Sequence, residues 1–401
     1  MNIAYFSPLL PKQTGISQYS ENLLKYMMKK SNIDLWIDGY RPSSFFLRSR
    51  LKLVDYVKGP QLISQLSKYD SILYNIGNNP YYHSEIYDVF LKNNGVVILH
   101  DFVLYYLITG YYLEKYKSRN SFLEEMKYNL GDYGIKEGLQ ILNSNIPPLQ
   151  YNHPERFPLN SRLIKTAKGI IVHSDYTKDL VKKIYPNANC IKINQIAPEI
   201  NFLNQLSKNQ VQWIRNRYGI KESEVMLASF GFVAPTKRIH KVLESLSKLK
   251  NKNFKYVIVG SGNYVSELVK KYNLTDKVIF TGFLSSSEFD NLMHASDIVI
   301  NLRYPYMGET SASAIRGLAF GKPMVVSDTG WFSELPDNAV VKVPVDGREI
   351  DVLTEKLEKL FNDKTLRQRL SEKAKLYSIK ELNGEKISQQ IVDFLHKTKG
   401  S

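Results

Sequence analysis

A single cysteine, Cys190, stands in 401 residues, so disulfides cannot shape this chain. No run of about 18 uncharged apolar residues occurs, which argues against a membrane-spanning helix. The opening residues, MNIAYFSPLL, lack a basic leader and a long apolar segment. They read as a first strand over residues 3–7, not as a secretory signal. With neither export signal nor disulfide, a cytoplasmic setting is expected. Zinc-ligand spacings, an aromatic RNA-binding run and a dense basic recognition helix are also missing. The formal charge is nonetheless +15, from 54 Lys and Arg against 39 Asp and Glu. Because these cations are scattered, no nucleic-acid partner is expected. An anionic membrane surface or a phosphate-bearing ligand would suit the excess, and so would a generally basic solvated surface.

What is present is alternation. Short apolar runs are separated by helical segments, the pattern of parallel sheets covered by helices. In the first half the strand candidates are IAYFS (3–7), DLWI (34–37), SILYN (71–75), VVILH (96–100), GIIVH (169–173) and CIKI (190–193). In the second they are VMLASF (225–230), KYVIVG (255–260), KVIFTG (277–282), DIVINL (297–302), PMVVS (323–327) and VVKV (340–343). Equal numbers on each side of residue 200 predict two doubly wound α/β domains. Residues 194–210, with Pro and polar residues, form the best linker. The spacing of Ile239, Val242, Leu243, Leu246 and Leu249 predicts a helix with one apolar face. Ser285 and Glu288 have capping-box spacing ahead of another. Residues 351–361 are similarly amphipathic, and two more helices close the chain. The Tyr-rich stretch from about 102 to 165 breaks the alternation and reads as a helical insertion packed on its own domain.

Ligands of open parallel sheets bind at the carboxyl ends of the strands, so the polar residues there are the candidates. Gly15 lies in the loop after the first strand. His100 and Asp101 end VVILH, and an imidazole beside a carboxylate facing a crevice is a plausible reactive pair. His173 also ends a strand, but Ser174 and Asp175 cap the next helix, so it reads as structural. In GFVAPTKRIHK, Lys237 and Arg238 enter a helix where a diphosphate would find both cations and backbone N–H groups. VGSGN (259–263) does not match the dinucleotide fingerprint G-x-G-x-x-G. Finally, GETSASAIRGLAFGKPMVV (308–326) reads as a short helix running into a buried strand. Glu309 would stand at its mouth and Arg316 two turns along the same face. Thr310, Ser311 and Ala312 would offer first-turn N–H groups to an anion.

Taken in order, GISQY, LHD, GFVAPTKR, KYVIVGSGN, KVIFTGFLSSSEFDNLMHASDIVINL and GETSASAIRGLAFGKPMVVSDTGWFSELP resemble the family-4 retaining glycosyltransferases of GT-B fold, the glycosyl transferases group 1. The resemblance spans nearly the whole chain and is clearest over 225–337. It implies two Rossmann-like domains facing each other across a cleft: residues 1–200 for the acceptor, 201–375 for the nucleotide-sugar donor, and a closing helix in 376–401 that crosses back. It implies that Lys237 is the diphosphate-binding lysine and Glu309 the first acid of an E-x7-E motif, in contact with the donor sugar. His100 would lie near the reacting sugar, and Gly15 in a loop close to the donor phosphates. Two positions depart. Phe232 stands where many members carry a phosphate-binding Arg, a loss Arg238 would offset. Arg316 replaces the second acid, so the usual carboxylate–ribose contact is gone, because guanidinium only donates.

The expected activity is retaining, metal-independent transfer of a hexosyl unit from a nucleoside diphosphate sugar to a glycan or lipid-linked acceptor. No D-x-D-like pair follows a strand, and no cofactor beyond the donor substrate is expected. Surface polysaccharide synthesis at the inner membrane face is the expected setting. A noncatalytic partner subunit, a nucleotide-sugar epimerase and a polyanion-binding protein are the alternatives. The sugar, the base and the oligomeric state are not legible.

Overall fold

The computed structural model describes residues 1–198 and 206–399, so part of the expected linker, 199–205, lies outside the described residues. The first seven strands are β1 (Asn2–Phe6), β2 (Asn32–Ile37), β3 (Lys52–Asp55), β4 (Ser71–Ile76), β5 (Val96–Leu99), β6 (Gly169–Val172) and β7 (Cys190–Lys192). They form one sheet in the order β3-β2-β1-β4-β5-β6-β7, and every neighbouring pair is parallel. A second parallel sheet contains β8 (Val225–Phe230), β9 (Phe254–Val259), β10 (Val278–Gly282), β11 (Ile298–Asn301), β12 (Met324–Ser327) and β13 (Val341–Val343). Its order is β10-β9-β8-β11-β12-β13. β1, β4, β5 and β6, like β8, β9, β11 and β12, are buried along almost their whole length, as helices on both faces of a parallel sheet require. The strand missing from the sequence reading is β3, KLVD. It lies at the sheet edge against β2 only, and its charged ends hide the apolar pair between them.

The chain forms two compact units. Unit 1 comprises Met1–Ile196, Met307–Thr310 and Gly384–Ser401; unit 2 comprises Ala197–Tyr306 and Ser311–Asn383. The final helix is Gly384–Thr398, not a segment starting at 376, because Lys364–Glu381 is one continuous helix of unit 2. In unit 1 the residues between β5 and β6 are helical: Tyr105–Gly110, continuing into a π turn at Tyr111–Lys115, then Arg119–Leu130, Asp132–Asn143 and Ser161–Thr166. Tyr105, Leu107, Ile108, Tyr111, Phe122 and Met126 join the unit 1 core, so the aromatic stretch serves packing in large part. The helix Ile239–Lys248 buries the four expected apolar residues it contains, and the Ser285–Glu288 capping box forms.

Two close approaches explain glycines of the loops after β8 and β9. A Cβ on Gly260 (φ +141°) would lie 2.2 Å from the Gly231 carbonyl oxygen, and one on Gly262 (φ +122°) 2.7 Å from that of Val233. VGSGN therefore lets two strand-end loops pack against each other. No described helix is long and apolar enough to cross a membrane.

The last helix is tied into unit 1 by Ile387, Ile391 and Leu395, each fully buried. Its start presses on Tyr26 and its end on Gly169, where added Cβ atoms would come within 2.3 Å of the Tyr26 ring and 2.9 Å of the Phe394 ring respectively. Ile391→Ala is expected to cost about 2–5 kcal/mol by loss of buried methyls and the cavity left behind. Urea unfolding followed on unit 1 aromatic fluorescence should show an earlier midpoint, and an unchanged midpoint would mean the helix is not part of that cooperative unit.

Candidate active site

In unit 2 the strand order reverses between β8 and β11, and there the polar ends of the strands open a small recess. Ser229, Phe230, Gly231, Lys237, Ile300 and Asn301 are among its lining residues. Gly231 has φ +100°, and a Cβ there would lie 3.2 Å from Lys237 Nζ, so the absent side chain makes room for the ammonium. Lys237 Nζ donates to the Phe230 carbonyl at 3.3 Å. Across the recess, Asn301 Nδ2 donates to Ser313 Oγ at 2.8 Å, and Ser311 Oγ donates to Asn301 Oδ1 at 3.2 Å. Ser311 is the N-cap of the helix Ala312–Ala319, accepting from Ala314 N–H at 3.3 Å. Asn301, which the sequence reading did not single out, thus anchors the start of that helix. A lysine and a helix N-terminus at one switch point suit an oxyanion.

The helix begins at Ala312, three residues past Glu309, and this corrects the expected arrangement. Glu309 does not share a helix face with Arg316. Arg316 Nε instead pairs with Asp290 Oδ1 at 2.8 Å, and its guanidinium lies 5.2 Å from the Phe289 ring centroid. Arg316 therefore holds its helix against the helix Ser286–Ala295. Arg238 is also turned inward. Its Nε donates to Glu349 Oε1 at 3.0 Å, its Nη2 also bonds that carboxylate, and it lies over Tyr304. Glu349 is 2% exposed, so it needs this cation. Arg238 has φ +59°, a left-handed conformation uncommon for a residue with a side chain. Phe232 is 74% exposed. Of the cations expected around a donor diphosphate, Lys237 is the one whose ammonium lines the recess.

Unit 1 holds the remaining expected residues: Gly15, His100, Asp101, Glu309 and Thr310. Gly15 opens the helix Gly15–Met27, whose N-cap Thr14 accepts from Ser17 N–H at 3.0 Å. His100 is buried, and both its nitrogens have partners. Nε2 lies 3.1 Å from Asn75 Oδ1, and Nδ1 lies 3.3 Å from His173 Nε2. His173 Nδ1 lies 2.8 Å from the Ile193 carbonyl. Asn75 donates its Nδ2 to the Phe6 carbonyl at 3.1 Å, which leaves its Oδ1 for His100. The two carbonyl acceptors require N–H at His100 Nε2 and His173 Nδ1. Three contacts thus need three hydrogens, and two neutral imidazoles bring two. The facing lone pairs fall on the His100–His173 contact, the longest of the three.

Asp101 Oδ2 accepts from Asn78 N–H at 2.8 Å. His83, also buried, places Nδ1 3.2 Å from the Asn75 carbonyl. His173, read from sequence as structural, is therefore the direct partner of His100. A polar Asn ending an apolar strand was the signal that could have found Asn75. Glu309 Oε2 accepts from Met307 N–H at 2.9 Å. Among the described residues no group of three or more His, Cys, Asp or Glu side chains is arranged to hold a metal ion.

Two parallel doubly wound sheets of these orders define an α/β chain of GT-B fold. Over 99% of this chain and all of the other, it superposes on the crystal structure of Anabaena HepE in complex with UDP and glucose, with a TM-score of 0.66 at 16% identity. Residues 210–377 match the family described as glycosyl transferases group 1. An uncharacterized glycosyltransferase of Methanocaldococcus jannaschii is 25% identical over 222 residues, 54% of each chain. The N-acetyl-alpha-D-glucosaminyl L-malate synthase of Bacillus anthracis is 23% identical over 247 residues, 60% of this chain and 61% of that one. The match therefore spans less than two thirds of either relative's length.

The buried histidines set an acid limit on unit 1. Burial lowers the pKa of His83 to about 3 and of His173 to about 4, and lowers that of His100 as well, where His173 adds to the effect. Unfolded histidines take up protons near pH 6.5, so below that pH the unfolded chain binds more protons than the folded one. Stability is full above about pH 6.5 and is lost as pH falls towards about 4, by about 3 kcal/mol for His173 alone. Melting temperatures between pH 7.5 and 4.5 should fall on the acid side, and His173→Asn should flatten the slope. Arg238→Ala strands the Glu349 carboxylate and is expected to cost about 3 kcal/mol. Adding Glu349→Gln should recover part of that loss; strictly additive losses in denaturant unfolding would show that the two side chains do not depend on each other.

Proposed function

We propose that this protein is a retaining glycosyltransferase that moves a hexosyl unit from a nucleoside diphosphate sugar to a glycan or lipid-linked acceptor. The observation that carries this reading is the recess of unit 2, where Lys237, set over Gly231, meets a helix start anchored by Asn301. It lies within a stretch that matches the glycosyl transferases group 1. Anabaena HepE was crystallised with UDP and glucose, which supports a uridine or similar nucleotide as the donor's carrier. In this reaction the bond between the sugar's anomeric carbon and the phosphate oxygen breaks. A bond to the acceptor oxygen forms on the same face, and the acceptor proton passes to the departing diphosphate. Lys237 and the N–H groups beginning at Ala312 stabilise the charge that gathers on the diphosphate. Glu309 contacts the donor sugar and stabilises its oxocarbenium-like state.

His100 is the group that the resemblance sets near the reacting sugar; its ring is held within unit 1, with Nε2 on Asn75 Oδ1 and Nδ1 facing His173 Nε2. No metal ion or cofactor enters this scheme. The basic surface suits an acceptor carried on an anionic membrane in surface polysaccharide synthesis.

A noncatalytic partner subunit is the second reading, favoured by one observation. Arg238 and Arg316 pair with Glu349 and Asp290, and Phe232 replaces a phosphate-binding arginine, so the donor site is poor in available cations. A thermal-shift screen of UDP, GDP, ADP and their sugars should identify the carrier, since a bound nucleotide stabilises the fold by mass action. With that donor, Lys237→Ala is expected to lower kcat by about 100-fold or more, as loss of one charge-stabilising donor does. Glu309→Ala should do likewise while the nucleotide shift persists. Full turnover by the correctly folded double variant would overturn the assignment. A nucleotide shift with no transfer by the wild type alone, restored by a second subunit, would favour the partner reading.

A further inference from the structure

Glu309 lies in a four-residue segment of unit 1, and both of its chain neighbours are tethered by side chains to which no role has been given. The Met307 carbonyl accepts from Phe102 N–H at 3.1 Å and Val103 N–H at 3.0 Å. Gly308 has φ +82°, and a Cβ there would come within 2.2 Å of Phe102 Cβ, so only glycine allows this approach. The Gly308 carbonyl accepts from Thr177 Oγ1 at 3.2 Å. On the other side of Glu309, Thr310 Oγ1 donates to Gln195 Oε1 at 2.8 Å. Thr177 and Gln195 are 1% and 7% exposed, so water is a poor substitute for either bond.

The direction of the Thr177 bond is set locally. Ser174 caps the helix Asp175–Ile184, its Oγ accepting Thr177 N–H at 3.0 Å. The same Ser174 hydroxyl donates its hydrogen to Thr177 Oγ1 at 2.8 Å. The Thr177 hydroxyl hydrogen is thereby left for the Gly308 carbonyl, and the chain Ser174 to Thr177 to Gly308 runs one way. A β-branched side chain, restricted at χ1, holds that aim better than a flexible one. The cap that makes HSDYT look merely structural thus has a second use.

We propose that Thr177 and Gln195 are positioning residues for Glu309: by fixing Gly308 and Thr310 they set the carboxylate before the sugar arrives. This rests on the reading of Glu309 as the group that contacts the donor sugar. Thr177→Val removes the hydroxyl and keeps the shape, Thr177→Ser keeps the hydroxyl, and Gln195→Leu removes the other tether. In the full-length protein, hydrogen exchange of the peptide covering 307–310 should quicken about tenfold in Thr177→Val and Gln195→Leu, with wild-type exchange in Thr177→Ser. Unchanged exchange in both deletions overturns the proposal whether or not a transfer reaction has been found. With the donor in hand, kcat should fall about 10–100-fold in Thr177→Val, as small misplacements of a reacting group cost. The donor KM and the nucleotide thermal shift should stay within twofold, and Thr177→Ser should restore kcat. Equal loss of nucleotide binding and kcat, or no recovery in Thr177→Ser, would reduce Thr177 to a packing role. Absence of any transfer by the wild type would instead count against the reading of Glu309, while the exchange result still decides the tether.

Discussion

One buried amide, Asn75, organises the strand ends of unit 1. It stands one residue before the end of β4, the strand beside β1, where the sheet order reverses. Its Nδ2 is bonded to the Phe6 carbonyl, its Oδ1 to His100, and its own carbonyl to His83. A polar group with no access to water must have every bond met, and here the requirement spreads outward. His100 faces His173, His173 donates to the Ile193 carbonyl, and three rings are thereby arranged around one side chain. The cost is a contact with one hydrogen too few, at the His100–His173 pair. Burial keeps the rings neutral even so, because an imidazolium inside a parallel sheet would lose far more solvation than one hydrogen bond returns.

The same rule governs the charges of unit 2. A carboxylate as deeply buried as Glu349 takes the guanidinium of Arg238, and Asp290 takes that of Arg316. Both arginines lie in stretches whose order points to a donor site, yet their heads are used in holding helices together. What faces the recess is sparer: one lysine over a glycine, and a helix start steadied by an asparagine and two serines.

Much of this was open to reading in the residues. Twelve of the strand runs were legible, the inner ones because a strand buried on both faces must be apolar throughout. β3 escaped since only Leu53 and Val54 separate its charged ends. The apolar face of Ile239–Lys248 and the Ser285 cap were visible for the same local reasons. Helix starts were less legible. Ser311 is an N-cap by chemistry, but the glutamate and threonine before it could equally have opened the helix. Only the positive φ of Gly308 and its approach to Phe102 show that the chain is still in a loop there.

The sequence by itself determined the α/β class, the two sheets and the positions of the strand ends. These follow from periodicity and composition, which act between residues near in the chain. Tertiary structure alone decided which partner each polar group takes: Arg238 with Glu349, His100 with His173, Thr177 with Gly308. Those pairs lie 111, 73 and 131 residues apart, and nothing local links them. Hydrogen bonds and ion pairs are set by distance in space, and folding is what brings such distant residues within 3 Å or so of each other.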